Sequence, residues 1–584
     1  MVMVGLTFVL LLRHERELAN QPSQPNVKTT VAARSPTKPA KTKSRRSREP
    51  NDQPRPNKSW DSGLPQVSLA DDSLSPLPFA SGAKAQGQNP FESELPLNTQ
   101  STIDDLVFKR LEELKIKPAK LCSDEVFLRR IYIDVLGTLP TVEEARGFLN
   151  DQDPNKREKL IDRALERPEF ADYWAMKWSD VLRVKAEFPI KLWPNAAQAY
   201  HRWIRTAIKN NMPYDQFARE LLTTSGSNFR APQVNFYRAV QNKEPKAITQ
   251  AVALTFLGER IENWPTERLD GTSAFFTQVG FKPTGEWKEE IVFFDRRKGK
   301  EKESLNQPLK AIFPNGVAIE VAPGEDPRQV FADWLVNEKN PWFARVAANR
   351  VWCWLLGRGV IEPPDDIRND NPASNPALLN HLASELIAAK YDLRQLYRLI
   401  LNSQTYQLAC IPNSDDPRAA ENFAFYPVRR LDAEVLIDAI CQLTGTSESY
   451  SSIIPEPYTF LPEGTRAIAL PDGSITSSFL EMFGRPPRDT GLESERNNRM
   501  TAAQALHLLN SNHLRNKLKQ GPGIEDLFGT TSDEDMAVTL YLAILSRRPT
   551  DEEFYLMSGM CGDLNGAREA AWALINSDEF LFRH

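Results

Sequence analysis

Ser123-Asp-Glu-Val-Phe-Leu-Arg-Arg-Ile-Tyr-Ile-Asp-Val-Leu-Gly137-Thr-Leu-Pro-Thr141-Val-Glu-Glu144 decides the fold class. Ser123 starts a helix, and Gly137 ends it, because glycine enters the left-handed conformation that closes a helix without a Cβ penalty. Thr141-x-x-Glu144 is a capping box: the threonine side chain accepts from one free backbone N–H and the glutamate answers back. Helix, glycine stop and capped helix follow one another within 22 residues.

The same grammar continues outward. Ser101-x-x-Asp104 opens an amphipathic run with Ile103, Leu106, Val107, Leu111 and Leu114 at helical spacing. Pro154 stands where a first helical turn accepts it. Residues 342–356 read as a largely buried helix closed by Gly357, and further helices start at Ser374, Asp392 and Asp432. Tyr132-x-x-Val135-Leu136-x-x-x-Pro140-Thr141-x-Glu143-Glu144 returns as Tyr541-x-x-Ile544-Leu545-x-x-x-Pro549-Thr550-x-Glu552-Glu553, and Glu169-Phe170 returns one residue out of register as Glu579-Phe580. Two readings stay open: a generic helix start used twice, or two related helical units at the ends of the fold.

Strand signals are confined to the middle, at 290–295, 309–313 and 317–321, which suggests one small sheet. Residues 452–478, rich in Pro, Gly and Ser, read as a long loop. The expected fold is mainly α, with two helical domains (101–280 and 326–584) around a short β-rich connector (281–325). A long N-terminal tether precedes them. Residues 1–100 hold 12 of the 43 prolines, and Arg13 to Lys58 holds 12 Lys/Arg against 4 Asp/Glu. Such a stretch cannot bury enough apolar surface to offset its ordering entropy, so 13–100 is expected to be disordered. Met1–Leu12 is apolar but shorter than the ~20 residues that span a bilayer. It is read as a signal- or anchor-like segment with a doubtful start and a weak hold on a membrane at most.

Composition mainly excludes. The 584 residues carry a net charge of −5, so no basic excess points to nucleic acid. The five cysteines include no C-x-x-C, which removes local thiolate-zinc, c-type haem and thioredoxin-like motifs. No G-x-G-x-x-G, P-loop, H-E-x-x-H or G-x-S-x-G occurs. His507 and His513, six apart, are expected on different faces of one helix and make a poor metal pair. No metal is expected. Trp342 and Trp352 are read as core rather than as a sugar platform.

Three polar clusters remain. One holds Arg350, Asp365, Asp366 and Arg368; a second, Arg429 and Arg430; a third, Arg485, Arg488, Asp489, Glu495 and Arg496. Arginine–carboxylate clusters usually lock loops to a scaffold, and Arg350, Arg368, Arg430, Arg485, Arg488, Asp489 and Arg496 are read as a binding cluster. Asp365, Asp366 and Glu495 are the candidate catalytic carboxylates, since paired carboxylates beside a cleft suit glycoside hydrolysis.

At these residues a resemblance enters. Residues 103–278 resemble the bacterial domain-of-unknown-function family 1549, through Leu128-Arg-Arg-Ile-Tyr-Ile-Asp-Val-Leu-Gly-Thr-Leu-Pro-Thr, Phe170-Ala-Asp-Tyr-Trp-Ala-Met-Lys-Trp, Asn211-Met-Pro-Tyr-Asp-Gln-Phe and Phe256-Leu-Gly-Glu-Arg-Ile. Residues 326–584 look like its usual companion, family 1553, through Asn349-Arg-Val-Trp, Gly357-Arg-Gly, Asp365-Asp-Ile-Arg, Phe483-Gly-Arg-Pro-Pro-Arg and Gln504-Ala-Leu-His-Leu-Leu-Asn. The resemblance implies an extracytoplasmic or membrane-associated protein, often accompanied by a cytochrome-c-like domain. It also implies a C-x-x-C-H near Asn263, Thr266 and Glu267, and a C-E-C-E-R where Leu492-Glu-Ser494-Glu-Arg stands; this chain has neither. The joint loss suggests a shared cofactor site, vacated at both motifs. The leading expectation is a cell-envelope binding or scaffold protein with a protein partner and no cofactor of its own. The alternatives are a polysaccharide hydrolase using the paired carboxylates, and a subunit that docks a c-type cytochrome.

Overall fold

The computed structural model describes residues 89–99, 101–298, 306–531 and 533–584. The apolar run 1–12 and the tether from 13 to 88 lie outside the described residues. The last part of the expected tether is described and docks on the body. Phe91 sets its ring edge-on against His584 at 5.5 Å, Ser93 N–H donates to Leu121 O at 2.8 Å, and Asn98 N–H donates to the Gln404 side chain at 2.9 Å. For 89–99 the expectation of disorder is corrected, because Phe91 finds an apolar seat and the backbone finds partners.

Helices dominate, as expected. Ser101 caps Thr102–Leu114, Ser123 caps Asp124–Ile131, and Thr141 closes its capping box with Glu144 at the head of Val142–Asn150. The helix after Ser123 widens into a π-helical turn, Tyr132–Leu136, and stops at Gly137 with φ +62°. A Cβ at Gly137 would lie 2.6 Å from the Tyr173 ring, so both conformation and space demand glycine there.

The middle holds two small sheets instead of the expected one. Glu290–Phe294 pairs antiparallel with Val279–Pro283 on one side and Gly226–Ser227 on the other. Leu309–Ile312 pairs with Ala318–Val321 as a separate hairpin. The helix Thr266–Ser273 claims that hairpin: Gly271 allows Ile312 to approach, and Thr272 Oγ1 donates to Ile312 O at 3.0 Å. Of the expected loop 452–478, residues 452–477 form a loop that contains the short 3-10 turn Ala467–Ala469 and is closed by an antiparallel bridge between Ser451 and Thr476, and Ser478 starts the next helix.

The two helical regions share one hydrophobic core running from Ile103 to Leu581. Polar side chains pin them as well. Buried Asp104 accepts from the backbone N–H groups of Gln404 (3.1 Å) and Thr405 (2.8 Å), while Arg129 donates to Ile544 O and Phe580 O. The chain ends in a strand, Phe582–Arg583, paired with Arg429–Arg430.

The sequence echo has a structural counterpart. Both copies close with a capping box, and the residues after Leu136 and Leu545, Gly137 and Ser546, share a left-handed backbone (φ +62° and +61°). In the first copy Arg167 lies over the Tyr132 ring and binds Glu144 (2.6 Å) and Glu169 (2.8 Å). In the second, Arg547 lies over Tyr541 and binds Glu553 (2.6 Å) and Glu579 (2.6 Å). The tyrosine and both glutamates correspond in the echo, but the arginine enters from a different place in the chain. The copies also touch, Arg146 donating to Thr539 Oγ1 at 3.0 Å. This geometry favours two related helical units over a generic helix start.

Candidate functional site

The polar centre of the molecule is a buried seam of charges. Lys177 and Asp180 project from helix Pro168–Val181, whose other residues bury a near-continuous apolar surface. Asp432 stands at the cap of helix Ala433–Thr444, with Glu434 in its first turn. Asp432 accepts from Arg583 (2.7 Å), Tyr173 (3.0 Å) and Asn498 (2.8 Å), and pairs with Lys177 at 3.0 Å. Burial raises its pKa, but Lys177, Arg583 and Arg496 together hold the carboxyl well below the usual range. Arg496 binds Glu434 at 2.7 Å and Asp180 at 2.7 Å, and Arg488 binds Asp180 at 2.8 Å. Asp134 collects Tyr406, Tyr426 and Arg583 at 3.0, 2.7 and 3.1 Å. The seam joins side chains from residues 134–180 to others from 406–583, so it locks the two helical regions together.

Each candidate carboxylate is held by donors of its own surroundings. Asp365 is buried and accepts from Arg260 at 3.0 Å and from the Glu493 N–H at 3.1 Å. Asp366 pairs with Arg368 at 3.0 Å. Glu495 accepts from the N–H groups of Asp489 (3.2 Å) and Thr490 (2.7 Å), bracing its own loop. Arg260, not Arg350 or Arg488, clasps Asp365.

The arginines marked as a binding cluster divide the same way. Arg350 is buried and donates to Thr255 O at 2.8 Å. Arg430 donates to Leu431 O, Phe483 O and Asn497 O, and burial pulls its pKa down to about 10. Arg485 donates to Ile475 O and pairs with Glu434 at 3.4 Å. Asp489 pairs with Lys185 at 2.7 Å. Of the set only Arg368, tied to Asp366 and Asp370, faces an open cleft. Sequence reasoning missed Asp134, Lys177, Asp180, Asp432, Glu434 and Arg583. The signal was present in Lys177 and Asp134, charges set among residues that share a buried face, a placement found almost only when the charge is paired.

Asp365 links the neighbourhoods of the two vacated motifs, one oxygen accepting from Arg260, three residues before Asn263, and the other from the N–H of Glu493, next to Leu492. Asn263 ends a short 3-10 turn, and exposed Thr266 and Glu267 open the next helix. Glu493 accepts from Trp354 Nε1 at 3.1 Å, Ser494 is exposed, and Leu492 borders a cavity of about 10 Å³, room for no more than a single water. Cys353 points to the same neighbourhood; burial, reinforced by Glu493 and Glu362, pushes its thiol well up, so it stays protonated. Among the described residues no group of three or more His, Cys, Asp or Glu side chains could hold a metal ion. Helix Ala502–Asn510 breaks before Asn512–Gln520, and the break turns His507 Nε2 to within 3.5 Å of His513 Nδ1. The two histidines thus face each other across a helix junction rather than lying on different faces of one helix.

Fold and seam define a helical protein in which an N-terminal region is locked by buried charge into a C-terminal one. Residues 102–269 match the family described as PSCyt2, protein of unknown function (DUF1549), and residues 327–560 match PSD1, protein of unknown function (DUF1553). The chain pairs these two families, and with five cysteines it is cysteine-poor. No curated protein and no solved structure matches it. Among the described residues no helix is long and apolar enough to cross a membrane.

Proposed function

We propose that this chain is a cell-envelope binding or scaffold protein that docks a protein partner and works without a cofactor of its own. The observation that carries the reading is a ring-rich cap. Three loops meet around Trp193, whose ring lies 6.3 Å from Trp287 and 5.4 Å from Tyr458. Phe188 is 75% exposed, Trp287 68% and Ile453 87%, with Phe460 on the same loop as Ile453. Lys288 sits over Trp193 and Trp287, and Lys191 sits over Phe188. Exposed aromatics gathered in one patch with a polar rim are the composition of protein-interaction hot spots. The hydrolase alternative has less support, because each candidate carboxylate is held by donors that brace loops. An extracytoplasmic or membrane-associated location belongs to the same proposal.

The test places a photo-crosslinking residue at Phe188 of the full chain in its native host. A discrete partner band that disappears in Trp287→Ser/Tyr458→Ser supports the reading. Crosslinking no stronger than from exposed Lys209 sinks it. A partner band with a c-type haem spectrum favours the cytochrome-docking alternative.

A further inference from the structure

The cap is not the only open feature. A cleft of about 1180 Å³ lies between the head of helix Thr266–Ser273, the turn of the 309–321 hairpin, the first turn of helix Pro341–Leu356, the 368–373 loop and the start of helix Pro376–Ala388. It exceeds the 300–1,000 Å³ typical of a small-molecule site, so it suits an extended ligand.

Its charges cancel. The lining carries Arg260, Arg268, Arg345 and Arg368 against Glu259, Glu267 and Asp370, so +4 − 3 = +1. The guanidinium groups already hold protein acceptors: Arg268 binds Glu259 at 2.9 Å, Arg368 binds Asp370 at 3.2 Å, Arg260 binds Asp365 at 3.0 Å, and Arg345 donates to Asn380 Oδ1 at 2.6 Å. An anionic ligand would have to compete with the three carboxylate pairs, would find only Arg345 without a carboxylate partner among the described residues, and would approach Glu267, whose carboxylate has no protein partner among the described residues. A purely apolar ligand would leave the polar groups of the lining unpaired.

What the cleft does offer is uncommitted neutral hydrogen bonding beside one ring. The side chain of exposed Asn369 has no protein partner, and the Asn315 and Asn380 amide groups donate to none, among the described residues. Asn369 presents a free donor and acceptor side by side, while Asn315 and Asn380, whose oxygens already accept from Val317 N–H and Arg345, present donors; together they complement neighbouring hydroxyls that each donate and accept. Trp342, expected in the core, is half-buried and lines this cleft, while Trp352 is fully buried. The Trp264 face is taken by the Arg268 guanidinium at 3.7 Å, which leaves Trp342 as the ring available to a ligand.

We propose that this cleft binds a neutral oligosaccharide, with the amides of Asn315, Asn369 and Asn380 and the Glu267 carboxylate on its hydroxyls and Trp342 against a sugar face. The proposal rests on the chain being a binding protein and adds a ligand class at a site separate from the ring-rich cap.

The experiment titrates the full chain calorimetrically with neutral hexasaccharides of β-1,4-linked glucose, mannose and xylose, and with a hexagalacturonate. At least one neutral hexasaccharide should bind and the acidic one should not. Asn369→Ala and Glu267→Gln, exposed changes that break no protein hydrogen bond, should each weaken binding about fivefold with an unchanged melting temperature. Trp342→Phe should weaken it less than Trp342→Ala. Failure of all three neutral probes, preference for the acidic one, or undiminished binding by the Asn369 and Glu267 variants overturns the proposal. Shortened products during the titration would instead overturn the non-catalytic reading and leave the sugar site standing. Loss of the cap crosslink would leave it standing too.

Discussion

Asp432→Asn tests whether the charged seam holds the two helical regions together. The substitution keeps the shape and removes one charge. Asp432 is fully buried, and among the described residues it is the only carboxylate within ion-pair distance of Lys177, itself buried. Arg583 keeps Asp134 at 3.1 Å, and Arg496 keeps Glu434 and Asp180, so those cations retain partners. Lys177 does not. Removing one member of a buried pair typically costs about 3–5 kcal/mol, because the surviving charge stays desolvated without compensation. Replacing both members by neutral groups removes that penalty, so Asp432→Asn/Lys177→Met should be at least about 1.5 kcal/mol more stable than the sum of the single variants predicts. The assay is equilibrium urea unfolding at pH 7, followed by tryptophan fluorescence and by far-ultraviolet circular dichroism. The pH dependence gives an independent check. A carboxyl held below its unfolded value of about 3.9 contributes stability that is present above that pH and lost as pH falls through the lower folded pKa. The wild-type advantage over Asp432→Asn should therefore be constant near neutrality and shrink only below about pH 4. A loss under about 1 kcal/mol for Asp432→Asn, or additivity in the double variant, would refute the reasoning.

The two arginine clasps should differ in strength. Arg547 is 4% exposed and Arg167 30%, so Arg547→Met should cost about 3–5 kcal/mol and Arg167→Met about 1 kcal/mol or less by the same unfolding assay. Ser546 holds a left-handed backbone that glycine adopts without strain, so Ser546→Gly should stabilise by about 0.5–1 kcal/mol, while Gly137→Ser should destabilise against the Tyr173 ring; thermal melts of the pair decide this. Burial pushes buried His201 down to about 3. A histidine lowered in this way stabilises above its unfolded value of about 6.5 and loses that contribution as pH falls, at about 1.4 kcal/mol per pH unit. Asp438, raised to about 6 mainly by burial, acts oppositely, its contribution being lost as pH rises toward 6. The clean readout is thus the difference between wild type and His201→Gln from pH 7 to 5, which should change by about one proton's slope; parallel curves would contradict it. Gly484 has φ +77°, and a Cβ there would lie 2.1 Å from Asn497 O, so Gly484→Ala should unfold or aggregate on expression, as read by size-exclusion chromatography.

Local features were legible before the tertiary structure. The serine and threonine caps at 101, 123, 141 and 550 stand where the sequence puts them, because a cap needs only a side chain and the next turn of its own helix. The middle strands were legible too, but not their partners: β-pattern alone does not say whether 290–294 pairs forward to 309–312 or back to 279–283. At the candidate site, sequence found Arg485, Arg488 and Arg496 and not the acids that hold them. Asp180 lies 308 residues from Arg488, and nothing local in the chain announces such a pair.

The sequence by itself determined a helical chain, its stops and caps, and its pairing of two families, since these rest on short-range periodicity and motif. Only the tertiary structure decided what the charged residues do. Whether Asp365 is a free acid or a clasped one depends on Arg260 and Glu493, which come from distant parts of the chain to bind its two oxygens. The same holds for the echo: sequence showed two tyrosines and two pairs of glutamates, while the arginine that completes each clasp arrives from a different point in each copy. Burial sets the worth of a charge, and burial is a property of the packed whole.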